Sequence, residues 1–552
     1  MSVHHRSICL AATSVVALLF GSAASGEETC KRPAAGGVNT AQECLTPQEL
    51  AAHIDATFEA DWRAAGVTPA PGADDAEFMR RVYLDITGKI PSVAEAQAFL
   101  DDTASDKRHR LVENLLSRGS FAAHFANVWR ELILPGTNTN NETRALAPAF
   151  EAWLKVRFAA NVPYDALVSE LLTARLTAAA QPIVGRRAPL APSPAAFFQV
   201  NENKPENLAA NASRIFLGMQ VQCAQCHDHP FSHWKRQEFW ALAAFFGGVQ
   251  PNMEQPEGEA VPVATTSISP LSIKIPETDT IVEARFLDGS APPFRAGEDA
   301  RLTLSRWLTG RQNRYFAKAA VNRLLDLFYG HGFVEPVDDL DERHPPSHPE
   351  LFEEIATQFA CHRYDLKFLV RTITATRAYQ LSSRTDSEAA DAAASGATEH
   401  FARMPLKRMT PEQLYDSLLE ATAFRDSSQP QNPNPNPFSD DTMRGQFLAR
   451  FADESARRSE AQTSILQALS LMNGSFTAGA ASPDRGQLLS AVNELPYLDT
   501  AGRIETLYLA TLSRRPTADE SSRVVAYLGR SSDEKEGLAD LFWALLNGAE
   551  FI

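Results

Sequence analysis

Apolar residues recur at three- and four-residue spacings through most of the chain, and the spacing predicts helices over 45–65, 76–87, 93–101, 107–116 and 121–134. These are short helices separated by turn chemistry. One start is spelled out: Ser92 follows Pro91 as an N-cap, and Glu95 stands at the capping-box position three residues on. From Pro251 to Pro293 the texture changes. Thr265, Thr266, Ile268, Ile273, Ile275, Ile281 and Val282 are interspersed with polar residues and prolines, which predicts a small β-rich segment. The fold class that follows is mainly α, with a helical domain over 45–250, a β-rich connecting segment over 251–295 and a second helical domain over 296–552. Inside the second, Gln429 to Pro437 mixes proline with asparagine and glutamine and has nothing apolar to bury, so an extended surface loop is expected over 427–440. The sequence shows no internal repeat of about 20 to 50 residues.

A different pattern opens the chain. His4, His5 and Arg6 precede an apolar run from Ile8 to Phe20, and small residues follow through Ser25. This order predicts a secretory signal peptide over 1–25, cleaved among Ala23, Ala24 and Ser25, with an N-terminal extension over 26–44. No later run reaches the roughly 18 apolar residues of a membrane span, so no transmembrane segment is expected after cleavage. The expected location is the periplasm or the cell surface. What remains is longer than one hydrophobic core accommodates, so two or more domains are expected. The formal net charge of −16 argues against a general binder of nucleic acid or anionic membranes, because phosphate binding draws on clustered Lys and Arg.

Export changes how the six cysteines are read. Cys9 leaves with the signal peptide. Cys30 and Cys44 lie close in sequence and are candidates for a disulfide in an oxidising compartment, with free or differently paired thiols as the alternative. Cys361 stands alone among Ile355, Phe359 and Ala360, and reads as a buried small hydrophobe rather than a nucleophile.

The last two cysteines fall in Cys223-Ala224-Gln225-Cys226-His227. Chance yields about 0.0015 Cys-x-x-Cys-His patterns in a chain of this composition, and the usual reading of the pattern is c-type haem attachment. On one helical turn, Cys223 and Cys226 can form thioethers with the two vinyl groups of haem c while His227 presents its imidazole to the iron. Two other readings use the same neighbourhood. His229 and His233 add to Cys223, Cys226 and His227 to make a donor set suited to tetrahedral zinc. Alternatively, Cys223 and Cys226 form a disulfide, redox-active or structural. No sixth iron ligand stands out among Met219, His233, Met253, His331 and His348. Pro230 is expected to end the helix carrying the motif. Trp234, Phe239, Trp240, Leu242, Ala243, Phe245 and Phe246 then predict an apolar-rich helix, either the wall of a haem pocket or an ordinary aromatic core.

The stretch from Ile215 to Phe231 resembles the signature of the planctomycete-type cytochrome c-like domain, domain-of-unknown-function family 1549. Arg80 to Gly88 and Ile90-Pro91-Ser92 resemble that domain's opening. Tyr315 to Arg323, Pro346 to Leu351, Tyr364 to Lys367 and Ile465 to Gly474 are similar to its usual C-terminal partner, family 1553. The resemblance covers nearly the whole mature chain. It implies a cytochrome-like protein with haem attachment and an exported protein as redox or assembly partner, and it implies no particular reaction. In an ordinary small cytochrome c the motif lies near the start of a compact domain. Here about 200 residues precede it, so the small-cytochrome fold is not expected.

Two further groups carry potential chemistry. Asp338, Asp339, Asp341 and Glu342 precede His344, His348 and Glu350, a set that could hold a divalent cation or do acid–base work, with His348 as the leading residue. The competing reading is a helix start, in which Ser347 or a neighbour caps, Pro349 enters the first turn and Glu350 suits the positive end. Asn322, Arg323, Arg371, Arg377 and Tyr379 could meet haem propionates or an acidic partner, or could tie helices together through buried carboxylates. A Gly-rich phosphate loop, a nucleophile elbow and a zinc-protease helix are all missing from the sequence. Three function classes remain. The first is an exported haem-c protein in electron transfer. The second is a non-haem scaffold or interaction protein whose Cys/His cluster holds zinc or a disulfide, and the third a hydrolase or oxidoreductase with a metal near His348.

Overall fold

Thr46, Ser92, Thr410, Ser464 and Thr517 begin helices in the same way. Each hydroxyl accepts the backbone N–H three residues on, and the Glu or Gln at that position reaches back to the cap's own N–H. Glycines in the left-handed conformation close four helices, at Gly66, Gly88, Gly218 and Gly330. In this computed structural model the described residues are 43–137, 140–176, 191–249, 271–293, 297–384, 395–424, 443–452, 464–474, 477, 479, 481, 482 and 486–552. The first five expected helices lie at Pro47–Ala65, Asp75–Thr87, Val93–Asp101, Lys107–Ser117 and Gly119–Ile133. Helices dominate the rest as well.

The strands among the described residues form one hairpin, Ser272–Lys274 paired antiparallel with Ile281–Glu283, with Ile273 opposite Val282. The fold is therefore mainly α with a small β element. Thr265, Thr266 and Ile268 lie outside the described residues, as do the expected signal peptide, Cys30, Met253 and the loop over 427–440. Among the described residues no helix is long and apolar enough to cross a membrane.

Residues Cys44–Ile552 form one compact unit. Within it the helices interleave rather than pack in sequence order. Pro47–Ala65 lies against Leu366–Ala375, Arg314–Tyr329 against both Pro205–Leu217 and Pro349–Cys361, and Val93–Asp101 against Thr500–Leu512. The larger hydrophobic core draws on residues from Leu50 to Met404, together with Leu509; the smaller joins Ile90 to residues from Met409 to Phe551. The division between cores thus falls near residue 405, well after the hairpin. Fully buried aromatics such as Phe58, Phe125, Trp129 and Phe150 fill the larger core, and burying a side chain of Phe size contributes about 1.5–3 kcal/mol.

Buried charges bridge distant parts of the chain. Lys407 Nζ donates to both carboxylate oxygens of Asp85, at 2.9 and 3.0 Å, and Tyr379 donates its hydroxyl to the same carboxylate at 2.9 Å. Arg130 pairs with Glu412 at 2.6 Å and with Glu151 at 3.1 Å. The arginines considered above for ligand binding are tied up likewise. Arg371 grips Glu113 with two hydrogen bonds, Arg377 meets Glu59, and Arg323 donates to the Ile215 carbonyl. Asn322 is fully buried and brackets the backbone of Val334 and Val337.

The cysteines pair differently from the sequence-based expectation. Cys44 is bonded to Cys361, 317 residues away, with Cα atoms 5.9 Å apart. Neither a Cys30–Cys44 bridge nor a lone, buried Cys361 survives. The reason is local: Leu45 N–H donates to Gln358 Oε1 at 2.9 Å, and His362 Nε2 donates to the Leu45 carbonyl at 2.8 Å. These two bonds zip the chain before Pro47–Ala65 onto the end of Pro349–Cys361.

Candidate cofactor-attachment site

Gly218 decides where the Cys-x-x-Cys-His motif sits. It ends Pro205–Leu217 in the left-handed conformation, at φ +64°, and a Cβ there would fall 2.8 Å from Leu340 Cγ. Only glycine meets both conditions without strain. The chain therefore leaves the α-helix before the motif, and Gln222–Gln225 form a single 3-10 turn with Cys226 just beyond. The expected α-helical setting is corrected to this turn. Pro230 follows a loop rather than ending a helix, and the aromatic helix expected next runs over Arg236–Ala243 with a 3-10 turn at Ala244–Phe246.

The turn is pinned from beneath. Ala224 is fully buried, and the Gln225 carbonyl accepts from Trp240 Nε1 at 3.0 Å and Arg236 Nε at 3.3 Å. Cys223 and Cys226 remain free thiols exposed to solvent. His227 is exposed too, and its Nδ1 donates to the Asp228 carbonyl at 2.7 Å. A carbonyl only accepts, so this bond places the ring proton on Nδ1 and leaves the Nε2 lone pair free.

His229 has the opposite arrangement. Its Nδ1 accepts the N–H groups of Phe231 at 3.2 Å and Ser232 at 2.9 Å, while its own N–H reaches the Trp234 carbonyl at 2.8 Å. It braces a tight loop, and with Nδ1 occupied its neutral ring carries the proton on Nε2. His233 lies exposed with its ring 4.2 Å from that of Trp234. The zinc set of Cys223, Cys226, His229 and His233 is accordingly not drawn together: among the described residues no three His, Cys, Asp or Glu side chains converge to hold an ion.

A second segment closes over the loop. Leu340 N–H donates to the Gly218 carbonyl at 2.6 Å, and Asp338 accepts from Arg214 at 2.8 Å and from Gln220 at 3.2 Å. Asp341 binds the Arg343 backbone and side chain and the Ser232 hydroxyl. Burial works to raise the Asp341 carboxyl, but these donors outweigh it and hold the group down at about 2. Burial lifts Asp339. Arg343 lies within electrostatic reach of Cys223.

Two family models match the chain in order: PSCyt2, a protein of unknown function (DUF1549), over residues 53–251, and PSD1, a protein of unknown function (DUF1553), over residues 300–528. The chain belongs to the paired PSCyt2–PSD1 family. No curated protein and no solved structure matches it. In these terms the motif lies in the PSCyt2 segment, while Asp338, Leu340, Asp341 and Arg343 come from the PSD1 segment. The site is assembled from both.

The acidic and histidine-rich stretch of the PSD1 segment does not act as one site. Its aspartates face the motif loop, whereas His348 turns into an aromatic enclosure, 5.2 Å from the rings of Phe58 and Phe333. His348 is also the N-cap of Pro349–Cys361, with Pro349 in the first turn as expected; Ser347 does not cap and instead meets His348 Nδ1 at 3.0 Å. Among the described residues His348 Nε2 is buried without a hydrogen-bond partner, 3.9 Å from Asp61, and Asp61 accepts from His400 Nδ1 at 2.6 Å. Burial pushes the His348 imidazole below its ordinary value. Asp61 and His400 were not singled out in the sequence, and nothing local marks them. The expected sixth-ligand candidates are committed elsewhere: Met219 is buried in the larger core, and His331 Nε2 donates to the Thr398 carbonyl at 2.7 Å.

Proposed function

We propose that this chain is an exported c-type haem-binding protein that exchanges electrons with an exported protein partner, with Cys223 and Cys226 as covalent anchors and His227 as the iron ligand. The observation that carries the reading is His227. Its Nδ1 proton is held by the Asp228 carbonyl, which leaves the Nε2 lone pair unused on an exposed ring beside two exposed thiols. A hydrogen bond from the far ring nitrogen is the usual way a protein orients an imidazole toward a metal and raises its basicity. When bound, haem c supplies one-electron redox chemistry.

The chain's own contribution is positioning. Ala224 and the Gln225 carbonyl fix the turn against Arg236–Ala243, so the two thiols and the imidazole are held by the core rather than by the loop alone. Attachment adds each thiol S–H across a vinyl double bond, so it needs both sulfurs reduced and accessible. Both conditions hold for Cys223 and Cys226.

The test is expression with cytochrome c maturation machinery, followed by a pyridine haemochrome spectrum and an intact mass. A haemochrome band and the mass gain of one haem, both lost in Cys223→Ser/Cys226→Ser, are expected. No absorbance and no gain sink the reading. A loss of four hydrogens against the fully reduced chain, two for Cys44–Cys361 and two more, instead of a gain identifies a Cys223–Cys226 disulfide.

A further inference from the structure

A large cleft lies far along the sequence from the Cys-x-x-Cys-His motif. It measures about 1190 Å³, between Asp75–Thr87 on one side and the stretches around Leu406, Leu512 and Phe551 on the other. Seven Lys and Arg side chains line it against five carboxylate side chains. Most of those cations are matched internally: Arg81 pairs with Glu77, Lys407 with Asp85, Arg514 with Glu520 and Glu550, and Arg515 with Asp101 and Glu505.

Arg80 is the exception. Its guanidinium donates to the Thr511 and Phe551 carbonyls at 2.7 and 2.8 Å and to the Ser513 hydroxyl at 3.3 Å, all neutral oxygens. Among the described residues no carboxylate lies within ion-pair distance of it. Glu550 acts on it from beyond ion-pair distance, and a desolvated guanidinium without a contacting counter-ion favours an anion that reaches it. At the mouth, Arg384 is 60% exposed, and among the described residues its one ion pair is a 3.5 Å contact to Asp74, with Glu550 acting on it from further off, so it is available to a ligand. Beside these charged groups, part of the wall is apolar. Leu84, Met409 and Phe551 contribute, and Leu406 stands 75% exposed, an unusual setting for leucine beside a cleft of this size.

We infer that this cleft binds a small organic anion with an apolar body, a carboxylate carried on an aliphatic or aromatic skeleton, its head group between Arg80 and Arg384 and its body against Leu406 and Phe551. A mostly apolar cleft with a few convergent polar groups is the general form of a small-molecule site. The inference is independent of haem attachment.

Calorimetric titration of the purified full chain tests it, with octanoate as the probe and octanamide and acetate as controls. Octanoate should bind saturably with one site, and both controls at least tenfold more weakly, since one lacks the charge and the other the body. Arg384→Gln should weaken octanoate at least fivefold and Leu406→Asp at least tenfold, each with an unchanged melting temperature because both side chains are exposed. Arg80→Met removes ties to the C-terminal residues and is informative only if it melts like the parent. No saturable heat, octanamide binding as well as octanoate, or unchanged binding in both Arg384→Gln and Leu406→Asp would each overturn the assignment.

Discussion

Replacing Asp85 by Asn tests whether the two family segments form one folding unit. Asp85 is 2% exposed, and its carboxylate holds Lys407 and the Tyr379 hydroxyl; Lys407 also donates to the Leu327 and Phe328 carbonyls at 3.0 and 2.9 Å. At 3 Å and an effective dielectric of about 20, the attraction between the charges is about 5 kcal/mol, comparable to the penalty of desolvating them. The pair is therefore close to neutral as a unit. Removing one member takes this counter-charge from the other buried charge, which costs about 3–5 kcal/mol. Unfolding entropy near 2.1 cal/mol/K per residue over about 510 residues converts this to a melting temperature lowered by about 3–5 °C, provided Cys44–Ile552 melts together. Lys407→Met should cost a similar amount. The double variant Asp85→Asn/Lys407→Met should melt no lower than either single one, because neither charge of the pair is then buried. Calorimetric melting of all four proteins completes the cycle. Single variants within about 1 °C of the parent, or a double variant at the sum of the two shifts, would refute the reasoning.

Two further outcomes follow from other contacts. Cys361→Ser releases a 317-residue span; chain-entropy scaling puts the loss at no more than about 6 kcal/mol, and native disulfides usually contribute about 2–5 kcal/mol. The urea midpoint of the parent should fall toward that of the variant when reductant is added, while the variant's stays put; a parent indifferent to reductant contradicts the assignment. His348 has a folded-state pKa below its ordinary 6.5 because burial disfavours its charged form, with His400 and His331 opposing protonation and Asp61 favouring it. The unfolded chain thus takes up the proton first. The stability His348 contributes is complete above about pH 6.5 and is lost as the pH falls from there through the folded pKa. His348→Phe should flatten the melting temperature between pH 7.5 and 5 relative to the parent, and parallel profiles would remove His348 from the acid response.

The parts of the fold that were legible in the sequence are those with local causes. Thr46 with Glu49 and Ser92 with Glu95 announce helices because both partners of the capping box lie within four residues. The motif itself was visible for the same reason. Its backbone was not, because the 3-10 turn depends on Gly218 meeting Leu340, which is brought in from more than 100 residues away. The same distance hid Cys361 from Cys44, Lys407 from Asp85, and Asp61 and His400 from His348. Each of these partners is chosen by tertiary packing and leaves no periodicity or spacing to read. Arg371 and Arg323 were correctly grouped as a polar set, yet only the fold shows them bound to Glu113 and to the Ile215 carbonyl.

The composite nature of the motif site has a physical consequence. A single 3-10 turn has little cooperative stability of its own, since it closes too few hydrogen bonds to offset the ordering of its residues. The exposed thiols and imidazole keep their arrangement because the core grips the turn from beneath through Ala224 and Trp240, and because the PSD1 segment holds both its flanks. On one flank, Leu340 and Asp338 bind Gly218, Arg214 and Gln220; on the other, Asp341 binds Ser232. A net contribution of about 1 kcal/mol per neutral hydrogen bond, and more for the Arg214–Asp338 pair, makes this second segment's share comparable to that of the core beneath. The PSCyt2 segment carries Cys223, Cys226 and His227, and the PSD1 segment holds both flanks of a turn too short to order itself.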